Sequence, residues 1–173
     1  DGMERRAKPP ANDLTIPYTR NIMGPVSYTV IHFERSPGTH AYQLAMPVVY
    51  EAGLKIYAEH GKKLLEWPGR ELIANVPAAW DETRFIEGYP ASHIVIARRK
   101  GSDWYVAGMT DSARTVSISL NFLQGSKKYD ALLFTDDTHD TMKRELTVVD
   151  SGSVLTIALL ERGGFAGRIT IKQ

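Results

Sequence analysis

Apolar and polar positions alternate with period two along most of the second half of the chain. From about residue 80 onward the runs 83–87, 93–99, 104–109, 115–120, 129–134, 145–149, 154–160 and 167–171 each read as a short strand. The alternation is cleanest in Val116-Ser117-Ile118-Ser119-Leu120, and in Leu155, Ile157 and Leu159 with Thr156 and Ala158 between them. Turn-forming residues separate the runs: Lys100-Gly101-Ser102-Asp103, Gly125-Ser126, Asp150-Ser151-Gly152-Ser153 and Gly163-Gly164. Short strands at this spacing predict an antiparallel sandwich or barrel.

The first part of the chain has a different pattern. Ala41, Leu44, Ala45, Val48, Ala52 and Ile56 recur at spacings of three and four and predict one helix over 39–60. Thr39 is its expected N-cap and Gly61 its expected C-cap. Pro47 predicts a kink, because its ring removes an N–H and crowds the preceding turn, and Gly53 weakens the second half. The first forty residues hold Pro9, Pro10, Pro17, Pro25 and Pro37 and read as loops, with one strand candidate at 26–33. The fold class expected is therefore mainly β: an antiparallel sandwich of about seven or eight strands, preceded by loops and one long helix. Residues 1–65 have too little else to bury the helix stripe by themselves.

Composition narrows the function. The chain has 173 residues, one domain's worth, with 21 Lys+Arg against 20 Asp+Glu and a formal net charge of +1. That balance argues against a nucleic-acid partner. No apolar run reaches the length of a membrane-spanning helix. The absence of cysteine rules out disulfides, thiolate catalysis and Cys-ligated zinc, and leaves the compartment open. The opening Asp-Gly-Met-Glu-Arg-Arg carries no signal-peptide core, and it suggests a processed chain or a piece of a longer one.

Candidate chemistry is sparse. His32, His40, His60, His93 and His139 show no metal-ligand spacing. Thr135-Asp136-Asp137-Thr138-His139-Asp140 lacks the calcium-loop pattern and reads as a solvated hairpin turn. Trp67, Trp80, Trp104 and Tyr105 suit either a sugar-stacking platform or interlayer packing, and packing is the expectation. Trp80, at the hand-over from the helical part to the strands, is expected to be largely buried. No phosphate loop and no nucleophile elbow is present.

Several motifs resemble glycoside hydrolase family 97, bacterial α-glucosidases and α-galactosidases. They are Gly2-Met3-Glu4, Ile16-Pro17-Tyr18-Thr19-Arg20, Gly24-Pro25-Val26-Ser27-Tyr28-Thr29, the block from His40 to Glu51, and Val76-Pro77-Ala78-Ala79-Trp80-Asp81-Glu82-Thr83-Arg84. Ala97-Arg98-Arg99-Lys100-Gly101 and Gly163-Gly164-Phe165-Ala166 extend the likeness along the chain. The resemblance implies an N-terminal β-sandwich, a catalytic (β/α)8 barrel and a C-terminal β-sandwich. Residues 1–67 would be the end of that barrel, its last helix included, and residues 68–173 the C-terminal sandwich domain.

The resemblance places Glu4 at the general acid of the family's α-glucosidase branch, beside a bound calcium ion in the parent enzyme. No cofactor is expected in this chain alone. Val26-Ser27 stand where the family usually has Met-Asp. Glycoside hydrolysis needs a second carboxyl, about 5–5.5 Å or 6.5–9.5 Å away according to stereochemistry, and it would come from barrel strands outside this sequence. The expected function is thus the C-terminal part of an α-glycosidase acting on oligosaccharides, inactive alone, with its sandwich supporting the barrel. The implied location is periplasmic or extracellular. The expected partners are the oligosaccharide substrate, the rest of the barrel and the N-terminal sandwich. The helix face, if left exposed, would drive self-association. The alternative is a non-catalytic carbohydrate-binding or interaction module.

Overall fold

The computed structural model describes residues 10–34, 36 and 38–172. Glu4, and with it the expected general acid and calcium neighbour, lies outside the described residues. A short helix α1 (Pro10–Asp13) and two 3-10 turns (Ile16–Tyr18 and Arg20–Met23) lead into strand β1 (Tyr28–Val30). Helix α2 (His40–Val49), strand β2 (Lys55–Tyr57) and the short helices α3 (Gly61–Glu66) and α4 (Arg70–Ile73) follow. The strands are β3 (Glu82–Tyr89), β4 (His93–Lys100), β5 (Asp103–Thr110), β6 (Arg114–Ser119), β7 (Tyr129–Asp136), β8 (Met142–Val149), β9 (Val154–Leu159) and β10 (Gly164–Ile171). All eight strands expected beyond residue 80 are present.

Six of them form one antiparallel sheet in the order β3-β4-β5-β10-β7-β8, while β6 and β9 pair antiparallel as a second, smaller layer. The two layers enclose a core of Val95, Ala97, Val106, Leu133, Phe165 and Ile169 from the large sheet against Val116, Ile118, Leu155 and Ile157 from the small one. Only β6 and β9 keep a strict in-out alternation of burial. That fits a layer with one wet face.

The opposite face of the large sheet is also covered. Ile94, Ile96, Tyr105, Ala107, Met109 and Phe134 pack there against α2 and the N-terminal segment. The central strands β4, β5 and β10 are therefore buried on both faces, and their burial runs continuous where a sandwich with one wet face would alternate. The molecule has three layers: helix with loops, large sheet, small sheet.

Helix α2 is present but ends at Val49, well short of residue 60. Thr39 caps it as expected, its hydroxyl accepting from Tyr42 N at 3.0 Å. Pro47 withholds one intrahelical donor, and the chain turns extended at Tyr50. Beyond Gly53 the β-branched and aromatic pair Ile56 and Tyr57 enters β2, which pairs parallel with β1. Ile56, expected on the helix stripe, is instead a half-exposed strand residue.

The helix is also buried all round: every residue from Ala41 to Val49 is inside, packed chiefly on β10 and β5. Its stripe is thus unavailable for the self-association expected of an exposed helix. The reason is the second covered face of the sheet, which period-three spacing does not reveal.

Candidate functional site

The layers meet at a buried carboxylate. Asp136, at the end of β7, is 8% exposed. It accepts from Thr39 Oγ1 at 2.6 Å, from Leu160 N at 3.0 Å and from Gly164 N at 2.9 Å. One side chain thereby ties the α2 cap, the β9–β10 turn and the large sheet together. Burial pushes its carboxyl above the ordinary value, against the opposing pull of the Thr39 hydroxyl and the two backbone donors. The expected solvated turn is correct for Asp137 to Asp140 and wrong for Asp136. Nothing in the acidic run itself marks one of its residues as internal.

The motif residues 16–29 fold into joints. Tyr18 OH donates to His93 O at 2.7 Å. It enters a notch where β3 bulges between Phe85 and Glu87 and Gly88 takes φ +154°; a Cβ there would collide with the Tyr18 hydroxyl. Arg20 reaches the carbonyls of Gly24 and Pro25, and Asn21 Nδ2 and Val26 N both donate to Glu51 O. Tyr28 OH donates to the buried Asp13 at 2.7 Å, and Tyr50 OH donates to Asp13 O at 2.9 Å. Burial first, then the Asp13 charge, hold the Tyr28 phenol protonated. Around these joints lies a cleft of about 490 Å³ lined by Thr15, Ile16, Thr19, Arg20, Val26 and Ser27. The departure from Met-Asp at Val26-Ser27 thus sits on its wall.

At the C-terminal ends of the parallel pair, where barrel chemistry is usually found, His32 N donates to Gln43 Oε1 and Phe33 N to Glu59 Oε2. Glu59 also accepts from His60 N at 2.9 Å. Its carboxylate is occupied by backbone. Among the described residues no group of three His, Cys, Asp or Glu side chains is placed to hold a metal ion.

Trp80 is half-buried at the hand-over, less than expected. Its ring meets Tyr105 edge-on at 5.2 Å, with Lys55 Nζ 5.4 Å and Arg98 Cζ 5.6 Å from the ring centroid. Arg98 is buried and donates to Val49 O at 2.9 Å, with Glu51 3.8 Å away. Burial and the Arg98 charge bring the Lys55 ammonium down to about 8, and burial brings Arg98 to about 10. The other aromatics weighed for sugar stacking, Trp67, Trp104 and Tyr105, are buried. Packing is their role.

Strand β8, at one end of the large sheet, is an exposed edge. Residues Lys143 to Val148 are all exposed, including Leu146 at 63% and Val148 at 48%. Arg144 forms a two-pronged ion pair with Glu71 of α4 at 2.7 and 2.8 Å, across a groove of about 860 Å³ that also takes in Leu65, Pro68 and Ala74. The strand is legible in the sequence as the run 145–149, but its exposure is not.

The fold is thus a two-sheet sandwich whose large sheet is roofed on its other face by a helix and loops. The profile described as glycosyl-hydrolase 97 C-terminal, oligomerisation, matches residues 79–170, and the chain belongs to that family. It is 33% identical over 178 residues to a retaining alpha-galactosidase of Bacteroides thetaiotaomicron, covering 91% of this chain and 27% of that protein. A probable retaining alpha-galactosidase of Streptomyces bingchenggensis is 31% identical, covering 96% and 27%. A family 97 enzyme from a Pseudoalteromonas species, solved with acarbose, superposes with a TM-score of 0.90 at 28% identity, over 99% of this chain and 30% of that one. The chain thus spans under a third of the length of these relatives.

Proposed function

We propose that this chain is the C-terminal, self-associating part of a family 97 α-glycosidase, with residues 68–173 as its sandwich domain and 1–67 as the end of its catalytic barrel. The observation that carries the reading is the match of 79–170 to a family described by oligomerisation, on a sheet that ends in the unprotected strand β8. In this proposal the whole protein hydrolyses α-galactosides or α-glucosides in the periplasm or outside the cell. Glu4 is its general acid, and a calcium ion lies beside Glu4 among carboxylates of the remaining barrel. The described residues supply no donor set for that ion. The second carboxyl comes from barrel strands beyond this sequence, so the 173-residue chain binds partners rather than turning over sugar.

Sedimentation over a concentration series tests the reading: association beyond the single chain is expected, and a strict monomer throughout would sink it. Titration calorimetry with maltooligosaccharides separates out the carbohydrate-binding alternative. No binding heat is expected, because Trp67, Trp104 and Tyr105 are buried and the half-buried Trp80 ring is engaged by Tyr105, Lys55 and Arg98.

A further inference from the structure

We propose that β8 is the contact strand of a two-fold homodimer in which Thr147 lies on the axis, opposite the partner's Thr147. This rests on the self-association reading and names its surface. Among the described residues β8 pairs with β7 alone. Asp137 N donates to Thr141 O, and Lys172 N donates to Lys128 O. By the alternation of an antiparallel ladder, both bonds turn the odd-numbered residues of β8 toward β7. Met142, Arg144, Leu146 and Val148 then direct their N–H and C=O groups to the open edge.

The sheet's other end is irregular, though its Phe85 and Tyr89 are also exposed. Strand β3 breaks register at a bulge, and Phe85 there packs edge-on against Tyr18 at 6.0 Å. Strand β8 runs eight residues without a bulge or a proline. An edge this regular is a template for another strand.

Its sequence selects the partner and the register. A two-fold axis perpendicular to the sheet keeps both faces continuous and pairs residues of equal parity. Centring on Lys143, Arg144 or Glu145 sets a charge against its own copy, which is unfavourable. Centring on Leu146 seats Arg144 opposite an aliphatic. Centring on Thr147 places Leu146 opposite the partner's Val148, and Val148 opposite the partner's Leu146, as hydrogen-bonded pairs. Threonine meets threonine between them, and Arg144, paired with Glu71 in its own chain, falls opposite the partner's Asp150, which Lys128 already neutralises, so no like charges face each other. A strand-to-strand contact of this size makes a reversible, concentration-dependent dimer.

The chain contains no cysteine, so one introduced thiol reports the geometry without competition. Thr147 lies in the non-hydrogen-bonded class of the new ladder, where paired Cα atoms are about 4.5 Å apart, within disulfide reach. Thr147→Cys is expected to give a covalent dimer on mild oxidation. Glu145→Cys, whose two copies are offset by about 13 Å along the strands, is expected not to. Leu146→Lys is expected to shift sedimentation to monomer with an unchanged circular dichroism spectrum. A wild-type chain that stays monomeric at its highest soluble concentration overturns both this inference and the self-association reading. A dimer that cross-links through Phe85→Cys on β3 but not through Thr147→Cys overturns the inference alone.

Discussion

Thr39 Oγ1 and Asp136 Oδ1 lie 2.6 Å apart, joining residues separated by 97 positions in the chain. The same hydroxyl accepts from Tyr42 N and so caps α2. Thr39→Val removes the cap and leaves one oxygen of a buried carboxylate without a donor. A cap is worth about 1 kcal/mol and an unsatisfied buried polar group about 1–3 kcal/mol. Urea unfolding is expected to show a loss of about 2–3 kcal/mol. A loss below about 0.5 kcal/mol, the usual range for surface changes, would mean the pair is incidental.

Asp136 also predicts a pH dependence. Its folded pKa is raised, chiefly by burial, above the ordinary 3.8. The folded state therefore holds this proton more tightly than the unfolded chain does. The associated stability is complete below the ordinary value and is lost as pH rises through the raised one. Asp136→Asn cannot titrate. Stability of the wild type minus that of the variant, followed by chemical denaturation across that window, is expected to fall with rising pH. A flat or rising difference would contradict the assignment.

Gly164 sits where β10 crosses the start of α2. A Cβ there would stand 2.7 Å from Tyr42 Cα and 2.8 Å from Gly108 O, both backbone atoms. Gly164→Ala must push layer from layer, at a cost of about 1–3 kcal/mol for overpacking. Its thermal midpoint is expected to drop, while Gly53→Ala, with open space around it, is expected to change little.

Lys55 and Trp80 give a spectroscopic test. The Lys55 ammonium is brought down to about 8 by burial and by Arg98. Arg98→Met is expected to raise it, since one repelling like charge is gone and burial remains. Titration of 13C-labelled lysine by NMR reads this directly. An unchanged midpoint would show that Arg98 and Lys55 do not interact. Trp80→Ala is expected to lose about 2 kcal/mol, below the roughly 3–5 kcal/mol of a fully buried tryptophan, because Trp80 is only half inside.

The strands were legible because their local chemistry agrees with their tertiary role. Val116, Ile118, Leu155 and Ile157 alternate with Ser, Thr and Ala, and the layer they form has one wet face. Thr39 was legible as a cap for the same reason. What sequence did not disclose is which faces find a cover. Helix α2 reads as one-sided, yet Tyr42, Gln43 and Met46 are buried as fully as Leu44 and Val48, because loops from the N-terminal segment close over them. Leu146 and Val148 are apolar yet lie outside, on a strand that among the described residues pairs with β7 alone. Asp136 and Asp137 are neighbours of one type, and only the approach of Thr39 and Gly164 separates their fates. The functional motifs were visible as motifs, but their geometry was not: Tyr18, Arg20 and Tyr28 serve as joints within the part described.

The large sheet shares its two faces between segments that are distant in the chain, and this sets where the molecule can be divided. A gene fragment beginning near residue 79, where the family match starts, would keep every strand of both sheets beyond that point. It would also strip one side bare, leaving Ile94, Ile96, Tyr105, Met109 and Phe134 facing water. Such a fragment would be expected to aggregate. The unit that evolution can duplicate, fuse or move between enzymes is then not the sandwich by itself. It is the sandwich together with the helix and loops that roof it, so recombination within the roof is expected to be selected against on packing grounds alone.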